Sequence, residues 1–91
     1  MNKAELVAEV AARVGLTKKD VNNTVDAITS VINDALSRNE KVTLVGFGTF
    51  QVQRRKARQG VNPRTRDKIS IPAKNVPKFK PGRALREAVE K

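Results

Sequence analysis

The sequence has no cysteine, no tryptophan, no tyrosine and no histidine, and only three phenylalanines among its 91 residues. Without cysteine there is neither a disulfide framework nor a thiolate metal site, the usual supports of small secreted domains. Without histidine, the commonest general acid–base, the commonest nitrogen ligand of zinc and the Ser-His and Cys-His nucleophile pairs are also gone. No P-loop, GxGxxG pattern or acidic cluster fills the gap, because Asp20, Asp26 and Asp34 fall on the polar side of a helical pattern. The expectation is therefore a non-enzymatic protein with no cofactor, no metal and no small-molecule substrate. Nor does any apolar run approach the roughly 20 residues of a membrane span or a signal-peptide core. A reducing cytoplasmic setting suits such a chain.

What the sequence does have is positive charge. Nineteen Lys and Arg stand against nine Asp and Glu, a net +10, enough to attract nucleic acid or anionic membrane through the field alone. The charge is uneven: residues 1–40 hold five basic and six acidic residues, residues 41–91 fourteen basic and three acidic. Apolar residues make up only 38%, and a single chain of this size buries a modest share of its surface, so a partner subunit would help stability.

The first half reads as two helices. Asn2 caps the first, with Glu5 three residues on, Leu6, Val7, Val10 and Val14 at helical spacing and Gly15 as the stop. Thr17 caps the second, with Asp20 in its first turn. Val21, Val25, Ile28, Ile32, Ala35 and Leu36 then run as an apolar stripe to about Asn39. That stripe is longer than the first helix can cover, and its excess is met either by a second copy of the chain or by the chain's own sheet. From Lys41 the period changes to two. Val42 and Leu44, the turn Gly46-Phe47-Gly48, then Phe50 and Val52 form a hairpin. A short amphipathic helix with Leu85, Ala88 and Val89 follows Pro81-Gly82.

Between Gln53 and Lys80 there are ten cations, Arg54, Arg55, Lys56, Arg58, Arg64, Arg66, Lys68, Lys74, Lys78 and Lys80, against Asp67 alone. After Val52 the alternation has only Ala57 to bury, so a strand there cannot lie on a core. Such a segment is either a disordered basic loop or, as the return through Ile69, Ile71 and Pro72 favours, a projecting two-stranded ribbon that turns at Asn62-Pro63-Arg64-Thr65 and is mobile until bound. A leg of roughly nine residues at ~3.3 Å each reaches on the order of 30 Å, enough to pass around a duplex. Guanidinium groups bond phosphate oxygens and enter a narrowed minor groove. Pro63, first of all a turn residue, is at the tip a rigid apolar ring suited to wedge between base steps, with Val61 adding apolar surface beside it.

At this point the chain resembles the bacterial HU histone-like proteins, close relatives of integration host factor, over essentially all its length. The resemblance rests on three stretches. They are Val45-Gly46-Phe47-Gly48-Thr49-Phe50, Arg55 and Arg58 with Gly60-Val61-Asn62-Pro63-Arg64-Thr65, and Ile71-Pro72-Ala73 with Val76-Pro77, Phe79 and Pro81-Gly82. It implies an α+β fold: a two-helix N-terminal hairpin, a three-stranded antiparallel sheet with a long protruding β-ribbon arm, and a short C-terminal helix, in an intertwined homodimer. Residues 1–91 would be one domain, with 1–40 the helical dimerisation part, the DNA-binding arm at about 53–75, and the C-terminal helix beyond. Phe47, Phe50 and Phe79 would be core, and Arg55, Arg58, Asn62, Pro63 and Arg64 arm contacts, with Pro63 intercalating. The family commonly has a basic residue where this chain has Val61.

The expected function is architectural: binding duplex DNA with little sequence preference, through basic arms in the minor groove, and bending and compacting it, with preference for bent, nicked or gapped forms. The expected contact set is Arg54, Arg55, Lys56, Arg58, Val61, Asn62, Pro63, Arg64, Arg66, Lys68, Lys74, Lys78, Lys80, Arg83 and Arg86. The expected setting is the cytoplasmic nucleoid. An RNA-binding module is the alternative, since Gly46-Phe47-Gly48-Thr49-Phe50 superficially matches an RNP1 motif, but Val45 replaces its basic residue and Thr49 interrupts the aromatic spacing. With so few aromatics, RNA binding would be weak. Membrane binding is not expected, because the basic segment is patterned as a hairpin rather than an amphipathic helix.

Overall fold

The computed structural model describes residues 1–90. It divides into two compact units, Met1–Asp34 and the chain from Ala35 onward. The first unit holds α1 (Lys3–Val14) and most of α2 (Lys18–Ser37). Both helices start where small polar side chains satisfy an otherwise orphaned N–H: Glu5 N donates to Asn2 Oδ1 at 2.9 Å and Asp20 N to Thr17 Oγ1 at 3.1 Å. α1 stops at Gly15, whose φ of 73° turns the chain left-handed while its N–H donates to Ala11 O.

Val7, Ala11 and Val21 form the small core of this unit, with Val10 and Val25 packed against it. Full burial of a valine contributes only about 1.5–3 kcal/mol, so two valines and an alanine make a thin foundation. The Lys3 ammonium meets the Asp26 carboxylate across the helix pair. Both groups are half exposed, which holds the bridge to under about 1 kcal/mol. Along the rest of α2, Ile28 is 50% and Val31 63% exposed, whereas Ile32 and Leu36 are half-buried and Ala35 is buried.

α2 ends in a Schellman motif. Glu40 N donates to Ala35 O and Asn39 N to Leu36 O, and Asn39 takes a φ of 61°. The second unit continues with β1 (Val42–Leu44), β2 (Gly48–Arg55), β3 (Arg58–Val61), β4 (Lys68–Ile71), β5 (Lys74–Pro81) and α3 (Arg83–Val89). β1, β2 and β5 form an antiparallel three-stranded sheet in that order, and β3 pairs β4 in a two-stranded one. In the β1–β2 turn Phe47 N donates to Leu44 O at 2.9 Å, and Gly46 supplies the φ of 85° that the third position of a type II turn requires.

One face of the sheet gathers the aromatics. Phe50 lies opposite Val42 and Phe79, and the Phe79 ring is 4.8 Å from that of Phe50 and 5.5 Å from that of Phe47. Phe50 and Phe79 are half-buried, whereas Phe47 is 47% exposed. The expected core role of Phe47 is therefore not met within one chain, because its turn has Phe79 on one side and solvent on the other. α3 begins after Gly82 without a side-chain cap, buries no residue fully and leaves Val89 75% exposed. Among the described residues no helix is long and apolar enough to cross a membrane.

Candidate nucleic-acid interface

The cation-rich segment is a ribbon with a joint. β2 pairs with β5 as far as Arg55 opposite Lys74, and pairing resumes with Arg58 opposite Ile71. Lys56-Ala57 on one leg and Pro72-Ala73 on the other lie between, two residues on each side, so the register continues unchanged through the gap. Pro72 accounts for the interruption, since its nitrogen has no proton for the ladder and its ring restricts Ile71 before it. A shallow cleft at this joint is lined by Arg55, Lys56, Arg58, Pro72 and Lys74. The ribbon expected from the sequence is thus two ladders in one register.

Alternation along the paired strands sorts the cations by face. In the three-stranded sheet Arg55, Lys74, Lys78 and Lys80 share the face away from Phe50 and Phe79. Thr43, Thr49, Gln51, Gln53 and the half-buried Val76 are on the same face, and the hydroxyls of Thr43 and Thr49 are 3.3 Å apart. None of the four polar residues among them is in the contact set expected from the sequence. Their signal was there, as the polar half of the alternation whose apolar half is Val42, Phe50 and Val52. Arg54 falls on the aromatic face instead, where its Nη1 donates to Asn75 Oδ1 at 3.5 Å. The polar face carries a strip of cations and uncharged hydrogen-bonding groups, the combination that grips a phosphate backbone.

Beyond the joint the outer ladder has a small apolar face, on which Ile71 is half-buried and Ile69 is 44% exposed. A Cβ at Gly60 would lie 3.2 Å from Ile71 Cδ1 and 3.4 Å from Ile69 Cγ1, so the glycine leaves room for the two isoleucines on that face. Arg58, opposite Ile71, shares it. On the other face Gln59 stands opposite Ser70 and Val61 opposite Lys68.

The tip is closed by its own backbone. Asn62 N donates to Asp67 O at 2.9 Å and Arg66 N to Asn62 O at 2.6 Å. Arg64 N donates to Asn62 Oδ1 at 2.9 Å, and Asp67 N to Thr65 Oγ1 at 3.3 Å. The loop therefore runs from Asn62 to Asp67, two residues beyond the Thr65 expected to end it, with Arg66 at a left-handed φ of 63°. Pro63, Arg64 and Arg66 are exposed on this frame. Arg83 and Arg86 lie apart from the arm on α3, and Arg83 Nε donates to Glu87 Oε1 at 2.9 Å.

Two helices, a three-stranded sheet and a jointed basic ribbon with a proline tip define a class of bacterial DNA-binding protein. The family model described as "Bacterial DNA-binding protein" matches residues 1–90, and the chain belongs to that family. Among its relatives is DNA-binding protein HU of Thermotoga maritima, 52% identical over 90 residues, or 99% of this chain and 100% of the relative. DNA-binding protein HU of Thermus thermophilus is 53% identical over 91 residues, covering 100% of this chain and 94% of the relative. A cocrystal structure of Anabaena HU with DNA matches with a TM-score of 0.92 at 48% identity, covering 99% of this chain and 98% of that one. HU from Thermotoga maritima matches with a TM-score of 0.72 at 41% identity, over 99% and 100% of the two chains.

Proposed function

We propose that this chain is an architectural, non-enzymatic DNA-binding protein whose jointed arm lies along the minor groove of duplex DNA and holds it bent. The observation that carries the reading is the arm itself: a ribbon in constant register, cationic along its length, ending in a hydrogen-bonded loop that presents Pro63 with Arg64 and Arg66. Affinity comes from phosphate neutralisation by Arg55, Lys56, Arg58, Lys68, Lys74, Lys78 and Lys80, with Arg54, Arg83 and Arg86 at the margins. Selectivity comes from the cost of deforming the duplex. Pro63 enters a base step and relieves stacking at the kink, so nicked, gapped or already bent DNA binds best. The cytoplasmic nucleoid follows as the place of action.

Two arms are needed to hold a bend from both sides, and the working unit is a homodimer. Support for it is the apolar surface that one chain leaves open: Leu6 at 42%, Ile28 at 50%, Val31 at 63%, Leu44 at 44% and Phe47 at 47% exposure. Residues 1–40 are its dimerisation part, and about 53–75 its DNA-binding arm.

Affinity for linear against nicked duplexes at two salt concentrations tests the proposal. If about eight phosphates are neutralised, log affinity falls with log salt at a slope near −7, and the nicked duplex binds more tightly at both salts. A slope shallower than about −3, or preference for single-stranded RNA over duplex DNA, overturns it.

A further inference from the structure

The arm tip has two apolar side chains between Arg58 and Lys68, Val61 and Pro63. The isoleucines further down the arm, Ile69 and Ile71, lie on the other face of the ribbon, across Gly60. Val61 has no such packing. It is 60% exposed, the last residue of its strand before the loop, and its neighbours on its own face are polar: Lys68 opposite, Gln59 and Ser70 one rung back. A branched apolar side chain so exposed at a strand end, next to the residue that starts the loop, buries little surface in this ribbon.

Resting on the DNA reading above, we infer that Val61 is a specificity-determining residue that selects A·T pairs beside the kink by contact with the floor of the minor groove. The floor of A·T and T·A pairs presents only the adenine N3 and thymine O2 acceptors, whereas G·C adds the guanine N2 amine as a donor. Acceptors line the floor in every case and cancel in the comparison. The amine does not cancel. Valine has no acceptor to give it, and covering it strands a buried donor, which disfavours G·C by a factor of roughly five or more. A threonine at the same position, nearly equal in shape, would instead offer a hydroxyl oxygen that accepts from the amine. Val61 thus supplies a preference that the phosphate contacts cannot.

The experiment uses nicked duplexes, in which the nick fixes the kink, with the flanking pairs made A·T, G·C, inosine·C or diaminopurine·T. Inosine·C removes the amine from the minor groove and leaves the major-groove edge of G·C, while diaminopurine·T adds an amine to an A·T pair. The wild-type chain is expected to bind A·T and inosine·C alike and to bind the two amine-bearing duplexes at least fivefold more weakly. In Val61→Thr the four affinities converge to within twofold, and in Val61→Ala the ratio shrinks. The side chain is on the surface, so both variants retain the fold, which thermal unfolding monitors. A wild-type ratio below twofold between inosine·C and G·C, or a ratio that persists in Val61→Thr, overturns the inference and leaves the DNA reading standing. Equal failure to bind all four duplexes overturns both.

Discussion

Asn62 and Arg64 are joined by a hydrogen bond in which the Arg64 backbone N–H donates to Asn62 Oδ1 at 2.9 Å, and this turn sets how the arm presents its proline. Asn62 also accepts from Arg66 N and donates to Asp67 O through its backbone, so one residue anchors both ends of the loop. Asn62→Ala removes the side-chain acceptor at a local cost of about 1 kcal/mol. Faster hydrogen exchange at the Arg64 amide is expected, with weaker binding to nicked DNA and an unchanged salt slope. Asn62→Asp keeps the acceptor and should restore the protection. Wild-type exchange in Asn62→Ala would mean the bond does not hold the tip.

Pro63→Ala separates the wedge from the grip. Pro63 is exposed on a loop closed by other residues, so the substitution leaves the arm and its cations in place. The expected result is a smaller bend angle by fluorescence energy transfer between duplex ends, a reduced preference for nicked DNA and a salt slope within error of wild type. Bend angle and affinity both unchanged would rule out insertion.

Arg66 holds a φ of 63°, a region that costs a side-chain-bearing residue roughly 1 kcal/mol or more. Arg66→Gly relieves that cost and also deletes a cation. Two opposite changes are expected: slower hydrogen exchange at the Arg66 and Asp67 amides, and a salt slope shallower by about 0.9 if the guanidinium reaches a phosphate. An unchanged slope would exclude Arg66 from the backbone contacts.

Gly48 tests the sheet rather than the arm. A Cβ there would lie 2.5 Å from two carbons of the Phe79 ring and 2.7 Å from Lys80 O, and a backbone oxygen cannot step aside. Gly48→Ala is expected to destabilise by about 1–3 kcal/mol, typical of overpacking. It should lower the melting temperature while leaving the salt slope of the remaining folded protein intact. A melting temperature equal to wild type would mean that the sheet gives way at no cost.

Much of this architecture is legible in the amino-acid order because it is set locally. Asn2, Gly15, Thr17 and the Gly46 turn act within a few residues of themselves, and each stands where its pattern predicts. The joint at Lys56-Ala57 and Pro72-Ala73 was not legible, because it depends on which residue faces Pro72 across the ribbon, a pairing between distant segments. The loop's extension to Asp67 was hidden for a related reason: Arg66 adopts a backbone conformation that composition would assign to glycine or asparagine. The cationic segment announced itself as a charge count, but its division into faces, with Arg54 set apart from Arg55, needed the register.

Because the register of the ribbon passes through the joint without slipping, the arm tolerates changes of length only as matched pairs. One residue inserted into a single leg would turn each side chain beyond it on that leg to the opposite face. Val61 would then share a side with the isoleucines, and Arg58 would exchange places with Gln59. Such an arm would keep every cation and the whole net charge of the present one and still meet DNA with the wrong side.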